Sequence, residues 1–519
     1  MKKLIPATLT ALLTLLCFAV GAWAEPAQAY VTYEQYGAIG DGVTDDLDAI
    51  IAAHAQANAE NLPVKAASGA VYCIAQTGKT AIIQTDTDWR GASFIIDDSA
   101  VQVGQGHATP IFEIRSKLAA QNLSVPAPLQ KEQTNIGVPL GYDALVYVED
   151  SSVLRYIRKG VNANDGQKQQ EVLAVDQDGS ISADTPLLWD YNGISAAIAY
   201  PTDTQTLTIS GGTFTTIANQ AESQYNYHHR GISITRSNTV IDGLVHLITG
   251  ELDHGAPYRG FVDITRCKDV TVQNTTLSGH KYYVTDRNGS NSSMGTYDIN
   301  INTATHVTFK DCVQANSIHD SALWGIMGSN YVKNITLDGV EFSRFDAHQG
   351  VCNVTIRNSK LGRQGINLIG SGTALIENTT VSSDNFINLR SDYGSVWDGE
   401  VIIRNCVFDQ NNGKGTNHAL IGGSNNGSHD FGYPCTMPYK VTIDGLKILD
   451  KKHSFFYFGP QIFDNFDGPW RVILDLFQKP PHPYGITEDV SLNNITTESG
   501  RCLWKGWNFL RFWNTRVTR

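Results

Sequence analysis

From residue 206 onward one short phrase keeps returning, and its recurrence leaves few architectures open. It reads "LTISGGTF", "TVIDGLV", "VTVQNTTL", "VTFKDCV", "ITLDGVEF", "VTIRNSKL", "LIENTTV", "VIIRNCVF", "VTIDGLKI" and "VSLNNIT". Its index residues are Ile209, Ile241, Val272, Phe309, Leu337, Ile356, Ile376, Ile403, Ile443 and Leu492, at intervals between 19 and 49 residues. A short minimum interval with elastic excess indicates stacked coils whose turns accept insertions. Within each phrase apolar and polar residues alternate, as in a short strand, and the Asn, Asp or Gly that follows supplies a bend. Helical periodicity is nearly absent here. The pattern predicts an all-β chain wound as a parallel β-helix, or solenoid, over residues 206–500, each coil burying its apolar side against the next. A β-sandwich would instead need hairpin turns and antiparallel pairs, and would not need the phrase.

The 519-residue chain opens with "MKKLIPATLTALLTLLCFAVGAWAEPAQA". Two lysines, an apolar run from Ala11 to Val20 and Ala22-Trp23-Ala24 have the layout of a signal peptide over residues 1–24, with cleavage possible as late as Ala29. The run is short for a bilayer span. The expected location is therefore secreted, extracellular or periplasmic, with no membrane in the mature form. The net charge of −12 becomes more negative once Lys2 and Lys3 are removed. That balance argues against nucleic acid and disfavours a polyanionic substrate globally, leaving local arginines to receive one. Seven cysteines remain after cleavage, with no C-x-x-C pair to suggest zinc. An odd count leaves at least one free thiol. Those at 267, 312, 352 and 406 recur in the repeat context as buried small hydrophobes.

Between leader and repeats, "YGAIGDGVTDDLDAIIAAHAQANAEN" crowds Gly37, Gly40 and Gly42 with aspartates ahead of an alanine-rich run. The glycines permit a tight turn, Thr44 or Asp45 supplies an N-cap, and Asp46 to Asn61 reads as a helix. Such a helix would cover the open end of a solenoid core. A calcium loop would need D-x-D-x-D-G with a closing Glu, which is missing. This segment resembles the N-terminal cap motif of the pectate lyase-like right-handed β-helix superfamily, which includes polygalacturonases, other glycoside hydrolases, polysaccharide lyases and phage tailspikes. With the repeats, the resemblance covers residues 30 to about 100 and 206 to about 500. It implies a right-handed helix with a carbohydrate-facing groove along one parallel sheet and carboxylates on adjacent coils. Trimers occur in the resembled group.

The expected organisation is an N-terminal cap and first coils over 30–105, a small β-rich insertion over 106–205, repeats to 500, and a basic, aromatic tail over 501–519. The insertion could be a wall over the groove or a stabilising elaboration. The tail could bind a surface or cap the last coil.

Eight of the fourteen histidines fall between residues 228 and 348, among aspartates and arginines. In "FVDIT", Val262 and Ile264 point inward, so Asp263 points out. In "TYDININ" the same count leaves Asp298 and Asn300 outside, and Ser233, Asn367 and Asn388 join them. Stacked coils turn these into a polar ladder with neighbours about 4.8 Å apart, a floor for a sugar chain. Solvated polar ladders also occur on solenoids without any ligand. Beside it stand His319-Asp320, Asp346 with His348 and Arg344 in "SRFDAHQG", and Asp286-Arg287. "SRFDAHQG" reads equally as a catalytic cluster or a hydrogen-bonded turn. Arg363 and Arg390 follow, suited to a sugar carboxylate or to pairing with Asp392.

Glycosidic cleavage needs one carboxyl as acid and a second as base or nucleophile. The stretch "IHDSALWGIMGSN" resembles the polygalacturonase "DD-C-I-A-I-x-S-G-S" segment, matching Asp320 to its second aspartate. "GTYDININTATHVTFKDC" resembles the "N-T-D-G-I-D-I" coil, matching Asp298. His319 replaces the first paired aspartate, and neither a G-H-G histidine nor an R-I-K follows. The first expectation is a glycoside hydrolase using Asp298, Asp320 and Asp346, assisted by His319 and His348, with Asp263, Tyr282, Asp286, Arg287, Arg344, Arg363, Asn367 and Arg390 binding a polysaccharide or oligosaccharide. It needs no cofactor. The second is a polysaccharide lyase or uronate epimerase, with an Arg or calcium neutralising the uronate and a His, Lys, Arg or Tyr as base. The third is a non-enzymatic glycan-binding or surface-structural solenoid.

Overall fold

The computed structural model describes residues 29–519 apart from 159–162, 288, 411–418, 425–432, 452, 454, 465, 467–472, 474–476, 478–481 and 509. The leader expected over residues 1–24 lies outside the described residues.

The recurring phrase forms one parallel sheet in continuous register. Ile209 pairs with Ile241, and the series runs through Val272, Phe309, Leu337, Ile356, Ile376, Ile403 and Ile443 to Leu492. All ten side chains are buried. A second sheet follows each phrase, as in Thr213–Ile217, Val245–Thr249 and Thr276–Leu277. A third closes the coil, as in Ile232–Ile234, Val262–Thr265 and Ile299–Asn302. The bend after the phrase is made by left-handed residues, with Asn358 at φ 54° and Asn378 at φ 48°. Their amides stack from coil to coil: Asn378 donates to Asn358 at 3.2 Å, and Asn358 to Asp338 at 2.8 Å. Asn tolerates the left-handed region better than most residues and adds this bond.

At the N-terminal end, Leu47–Glu60 forms an α-helix, burying Leu47, Ile50, Ala53, His54 and Ala57. Its N-cap residue is Asp46 rather than Thr44 or Asp45, and no cap side chain closes the first turn. Asp46 is drawn away because its carboxylate accepts from Ile39 at 2.7 Å and Cys73 at 3.3 Å, tying the glycine turn to the first coil. Gly37, Gly40 and Gly42 all have positive φ. The aspartates and glycines thus shape a cap.

Phe112–Ile114 still belongs to the third sheet, pairing with Ala81–Ile83 and Ile232–Ile234, so the solenoid runs past the expected boundary at 105. Gln121–Asn122, Ala144–Arg155, Gln167–Val175 and Ala196–Pro201 then form a separate antiparallel sheet. Its own core includes Val146, Val148, Leu173, Leu187 and Tyr191. Buried Lys333 anchors it to the solenoid, donating at 2.6 Å both to Glu171 and to the Pro186 carbonyl. Asn334 reaches the Asp184 carbonyl at 2.8 Å, and His306 the Asp184 carboxylate at 2.7 Å.

The C-terminal segment packs on the last coil. Phe512 is buried and stacks on Phe463 at 4.4 Å, and Arg516–Thr518 adds a parallel strand to Asp489–Thr497. The seven cysteines are free, five of them buried. No helix among the described residues is long and apolar enough to cross a membrane.

Candidate functional site

The polar ladder lies on the third sheet. Glu113, Ser233, Asp263, Asn300 and Gly328 stand in register, one per coil. The pairing of Ser329 with Ala347 places Asp346 next in line, followed by Asn367, Asn388 and Gly422. These side chains point away from the core, as alternation requires, yet they are not solvated. Asp263, Asn300, Asp346 and Asn367 are buried, because loops connecting the second and third sheets rise over them. Asn388 donates to Asn367 at 2.8 Å, and Asn300 to Asp263 at 2.5 Å.

Asp298 departs from the expected ladder. It precedes the strand Ile299–Asn302, so the alternation does not extend to it, and it is fully buried inside the coil. His246 Nδ1 meets its carboxylate at 2.8 Å, His280 Nε2 at 2.9 Å, and the Ser278 amide donates at 2.8 Å. Burial alone would raise its pKa, but the two histidines hold it well below the usual carboxylate range. Burial likewise opposes the His280 charge, yet Asp298 and Glu251 push that imidazole up to about 9. This is an interior ion cluster.

Above the ladder a cleft of about 410 Å³ opens. It is lined by Tyr225, Tyr227, Arg259, Tyr297 and Trp324 from the loops and by Arg158, Asn330, His348 and Arg390. His229, Asn300 and Gly328 also line it. Gly328 leaves the ladder without a side chain beneath the cleft, and the Tyr297 ring occupies the space, 3.4 Å from where a Cβ would stand. The Tyr297 hydroxyl donates to Asp346 at 2.7 Å. Arg344 joins the same carboxylate at 2.8 Å and Arg390 at 3.0 Å. Burial opposes the Asp346 charge, but Arg344 and Arg390 hold its carboxyl well below the ordinary range. Asp346 is thus an ionised, enclosed anchor that aims Tyr297 and Arg390 at the cleft. Asp392 adds a second tie, to Arg390 and to Arg158, each at 2.9 Å.

His348 borders this cluster. Its Nδ1 faces Asn330 Oδ1 at 2.9 Å, which makes Nδ1 the protonated nitrogen of the neutral ring and leaves Nε2 basic. Burial, reinforced by the Arg390 charge, lowers its pKa to about 4. At neutral pH it is an uncharged imidazole with proton-accepting capacity. Burial also lowers His229, which stands 3.9 Å from Asp263. Arg259 lies 3.5 Å from the same carboxylate with its own side chain half exposed. Among the described residues the lining holds three arginines and two histidines and no carboxylate.

Of the residues singled out from sequence, His348 and Arg390 line the cleft, Asp346 and Arg344 lie beneath it, and Asp263 supports Asn300. Arg344 also covers the Trp324 ring at 4.8 Å. Asn367 remains in the ladder, on coils beyond the cleft. His319 and Asp320 stand on an exposed turn outside it, where Asp320 accepts from the Ala322 amide at 2.8 Å. Asp286 is exposed on the hairpin Tyr283–Arg287 and Ser290–Met294, accepting from Gly289. The side chain of Arg287 lies outside the described residues. Half-buried Arg363 is away from the cleft, and Tyr282 sits beside Trp324, ring centroids 6.2 Å apart. Sequence reasoning missed Arg158, Arg259, His229, Tyr297, Trp324 and Asn330. They come from separate loops with no shared spacing, although Tyr297 immediately precedes Asp298 and Trp324 lies in the same stretch as Asp320. No group of three or more His, Cys, Asp or Glu side chains is arranged to hold a metal among the described residues.

No protein-family model matches the chain. A capsule KL64-specific depolymerase of Klebsiella phage P510 is 28% identical over 131 residues, covering 23% of this chain and 12% of the depolymerase. The tailspike gp61 of Pseudomonas phage phi297 superposes with a TM-score of 0.52 at 14% identity, over 95% of this chain and 84% of that one. The Gp54 tailspike of Acinetobacter baumannii bacteriophage AP22, solved in complex with A. baumannii capsular saccharide, gives 0.54 at 9% identity, over 94% and 79%. With its cap helix and three parallel sheets in continuous register, the chain has the pectate lyase-like right-handed parallel β-helix fold that these tailspikes share.

Proposed function

We propose that the chain is an extracytoplasmic protein that binds and cleaves an acidic polysaccharide by β-elimination, as a polysaccharide lyase. The observation that carries this reading is the lining of the cleft: among the described residues Arg158, Arg259 and Arg390 face it with His229 and the uncharged His348 and no carboxylate, the paired aspartates Asp263, Asp346 and Asp392 standing outside the lining, in a chain of net charge −12. An arginine fork matches a sugar carboxylate bidentately, and a clustered positive field concentrates an anionic substrate against an acidic surface.

Hydrolysis is served less well. A two-carboxylate mechanism needs its carboxyls about 5–9.5 Å apart across the scissile bond. Asp346 is ionised and enclosed, Asp298 lies inside the coil, and Asp320 stands outside the cleft. Elimination needs other parts. Arg390, with Arg158 and Arg259, would neutralise the uronate carboxylate and so acidify the proton on the adjacent ring carbon. His348 Nε2 takes that proton as general base. The electron pair forms the C4–C5 double bond, the glycosidic C4–O bond breaks, and the departing oxygen takes a proton from water. The partial likeness to a capsule depolymerase and the saccharide-bound tailspike agree with a glycan as substrate.

The test is incubation with a panel of neutral and acidic polysaccharides, following reducing ends and the ultraviolet absorbance of unsaturated uronates. Both should rise together on an acidic polymer, with His348→Ala losing turnover while retaining binding. Reducing ends without absorbance would establish hydrolysis instead. Saturable binding with neither signal would leave a glycan-binding solenoid.

A further inference from the structure

The cleft leaves the C-terminal end of the solenoid unused. There the segment 451–460 leads from the strand Lys440–Leu449 into Gln461–Phe463 of the third sheet, and the chain after Gly500 runs beside it. Gln461 bridges to Trp504, the Ile462 amide donates to the Trp504 carbonyl at 2.8 Å, and the Trp504 indole donates to the Gly459 carbonyl at 3.1 Å. The two segments therefore form one surface. It is aromatic: Phe455 is 92% exposed, Phe456 78% and Trp513 75%, with Phe458 and Trp507 more than half exposed. Phe458 and Trp507 meet edge to face with ring centroids 5.2 Å apart, as do Phe455 and Phe456 at 5.2 Å. Exposed apolar surface on this scale marks an interaction site.

Charge decides the partner. Residues 451–460 and 501–519 carry seven Lys and Arg and no acid, in a chain of net charge −12. Lys451 and Arg501 are exposed. Arg516 pairs with Asp489, and Asp464 and Glu498 border the segments. Asp450 is buried, and its carboxylate accepts from the Tyr457 hydroxyl and the Ser499 amide, each at 2.8 Å. A second copy seated on the same face would set basic against basic. Phenylalanine offers a sugar no hydrogen bond. Rings flanked by Lys and Arg suit the boundary between lipid headgroups and acyl chains, where aromatic residues concentrate and anionic lipid attracts positive charge.

We infer that this end of the solenoid docks peripherally on an anionic phospholipid bilayer, with Phe455, Phe456 and Trp513 entering the headgroup layer and Lys451 and Arg501 meeting lipid phosphate. Apolar contact and electrostatic attraction together hold a protein at such an interface without a spanning helix. The inference departs from the expectation of a mature form without a membrane, and it does not depend on what the cleft binds.

The test is sedimentation of the mature protein, without the apolar leader expected over residues 1–24, with vesicles of phosphatidylcholine alone and of phosphatidylcholine mixed with phosphatidylglycerol. The wild type should sediment with the anionic vesicles, far less with the neutral ones, and less as salt rises. Phe455→Ser combined with Phe456→Ser should lower partitioning at least about tenfold, a fraction of what two fully buried rings would contribute. Lys451→Gln should lower it roughly fivefold, the worth of one charge near the surface. Both phenylalanines stand out in solvent, so thermal melts of the double variant should match the wild type. Failure to sediment with anionic vesicles overturns the inference, as does equal binding to both vesicle types or binding that the double variant retains. Self-association that the double variant loses, without vesicle binding, would assign the face to a second copy instead.

Discussion

Arg390 and His348 divide the work of the proposed chemistry between charge and proton transfer. Arg390 spans Asp346 at 3.0 Å and Asp392 at 2.9 Å, so its guanidinium is held in place before any substrate arrives. Arg390→Ala should abolish binding of acidic oligosaccharides, and Arg390→Lys should recover only part of it, because a point charge cannot reproduce the fork. Calorimetric titration with each variant checks both. His348→Ala should cost on the order of 10²–10⁴ in turnover with little change in binding, the usual range for a lost general base. The pKa of His348 also sets the acid limit of activity. With the imidazole lowered to about 4, it stays a competent base as pH falls past the ordinary histidine value of 6.5. The acid limb of kcat/KM should therefore lie near pH 4, and a limb near 6.5 would exclude His348 as the base.

At the scale of elements, two devices hold the coils and the insertion in place. The first is the Asn stack in the bends after the Ile356 and Ile376 phrases. Asn378→Ala would place a Cβ-bearing residue without a local hydrogen-bonding group at φ 48° and break the bond to Asn358, at a cost of about 1–2 kcal/mol. Asn378→Gly should cost less, since glycine accepts that conformation. Urea titrations of the pair measure the difference. The second is Lys333, whose ammonium stands between Glu171 and the Pro186 carbonyl with both charges buried. Lys333→Met leaves Glu171 buried and unpaired, which costs about 3–5 kcal/mol. It should also loosen the insertion from the solenoid, seen as faster amide exchange across Ala144–Arg155 and Gln167–Val175.

For the whole molecule, buried ionisable groups tie stability to pH from both sides. His54, His228 and His348 are lowered by burial, to about 3, 4 and 4. Below 6.5 the unfolded chain binds protons that the fold refuses, so their contribution is complete above 6.5 and fades as pH falls toward 4. His280 runs the other way. Its folded pKa of about 9 lies above the ordinary histidine value of 6.5, so its contribution is present below 6.5 and disappears as pH rises through 9. Thermal melts from these groups should peak near pH 6.5, and His280→Gln should remove the alkaline decline while leaving the acid one.

Much of the fold was legible because a solenoid repeats its own constraint. Ten phrases needed the same inward residue, and Ile209 to Leu492 stack in the register that their alignment implied. Alternation likewise placed Ser233, Asp263, Asn300, Asn367 and Asn388 on one outward ladder, since side-chain direction in a strand is a local property; Asp346, expected at a turn beside the ladder, stands within it. What lies above that ladder was not legible. Whether an outward residue meets water or a loop depends on chain returning from elsewhere, which is why Asp346 became an enclosed anchor. Asp298, one residue before its strand, turned inward for want of any local rule at the corner. Arg158, Arg259 and Tyr297 reach one cleft from three segments that share no spacing. The sequence by itself determined the coil, its cap and the face that carries the polar ladder, because these follow from period and turn chemistry. Only the tertiary structure decided which charges meet over that face, because a binding cleft is made by contacts between residues far apart in the chain.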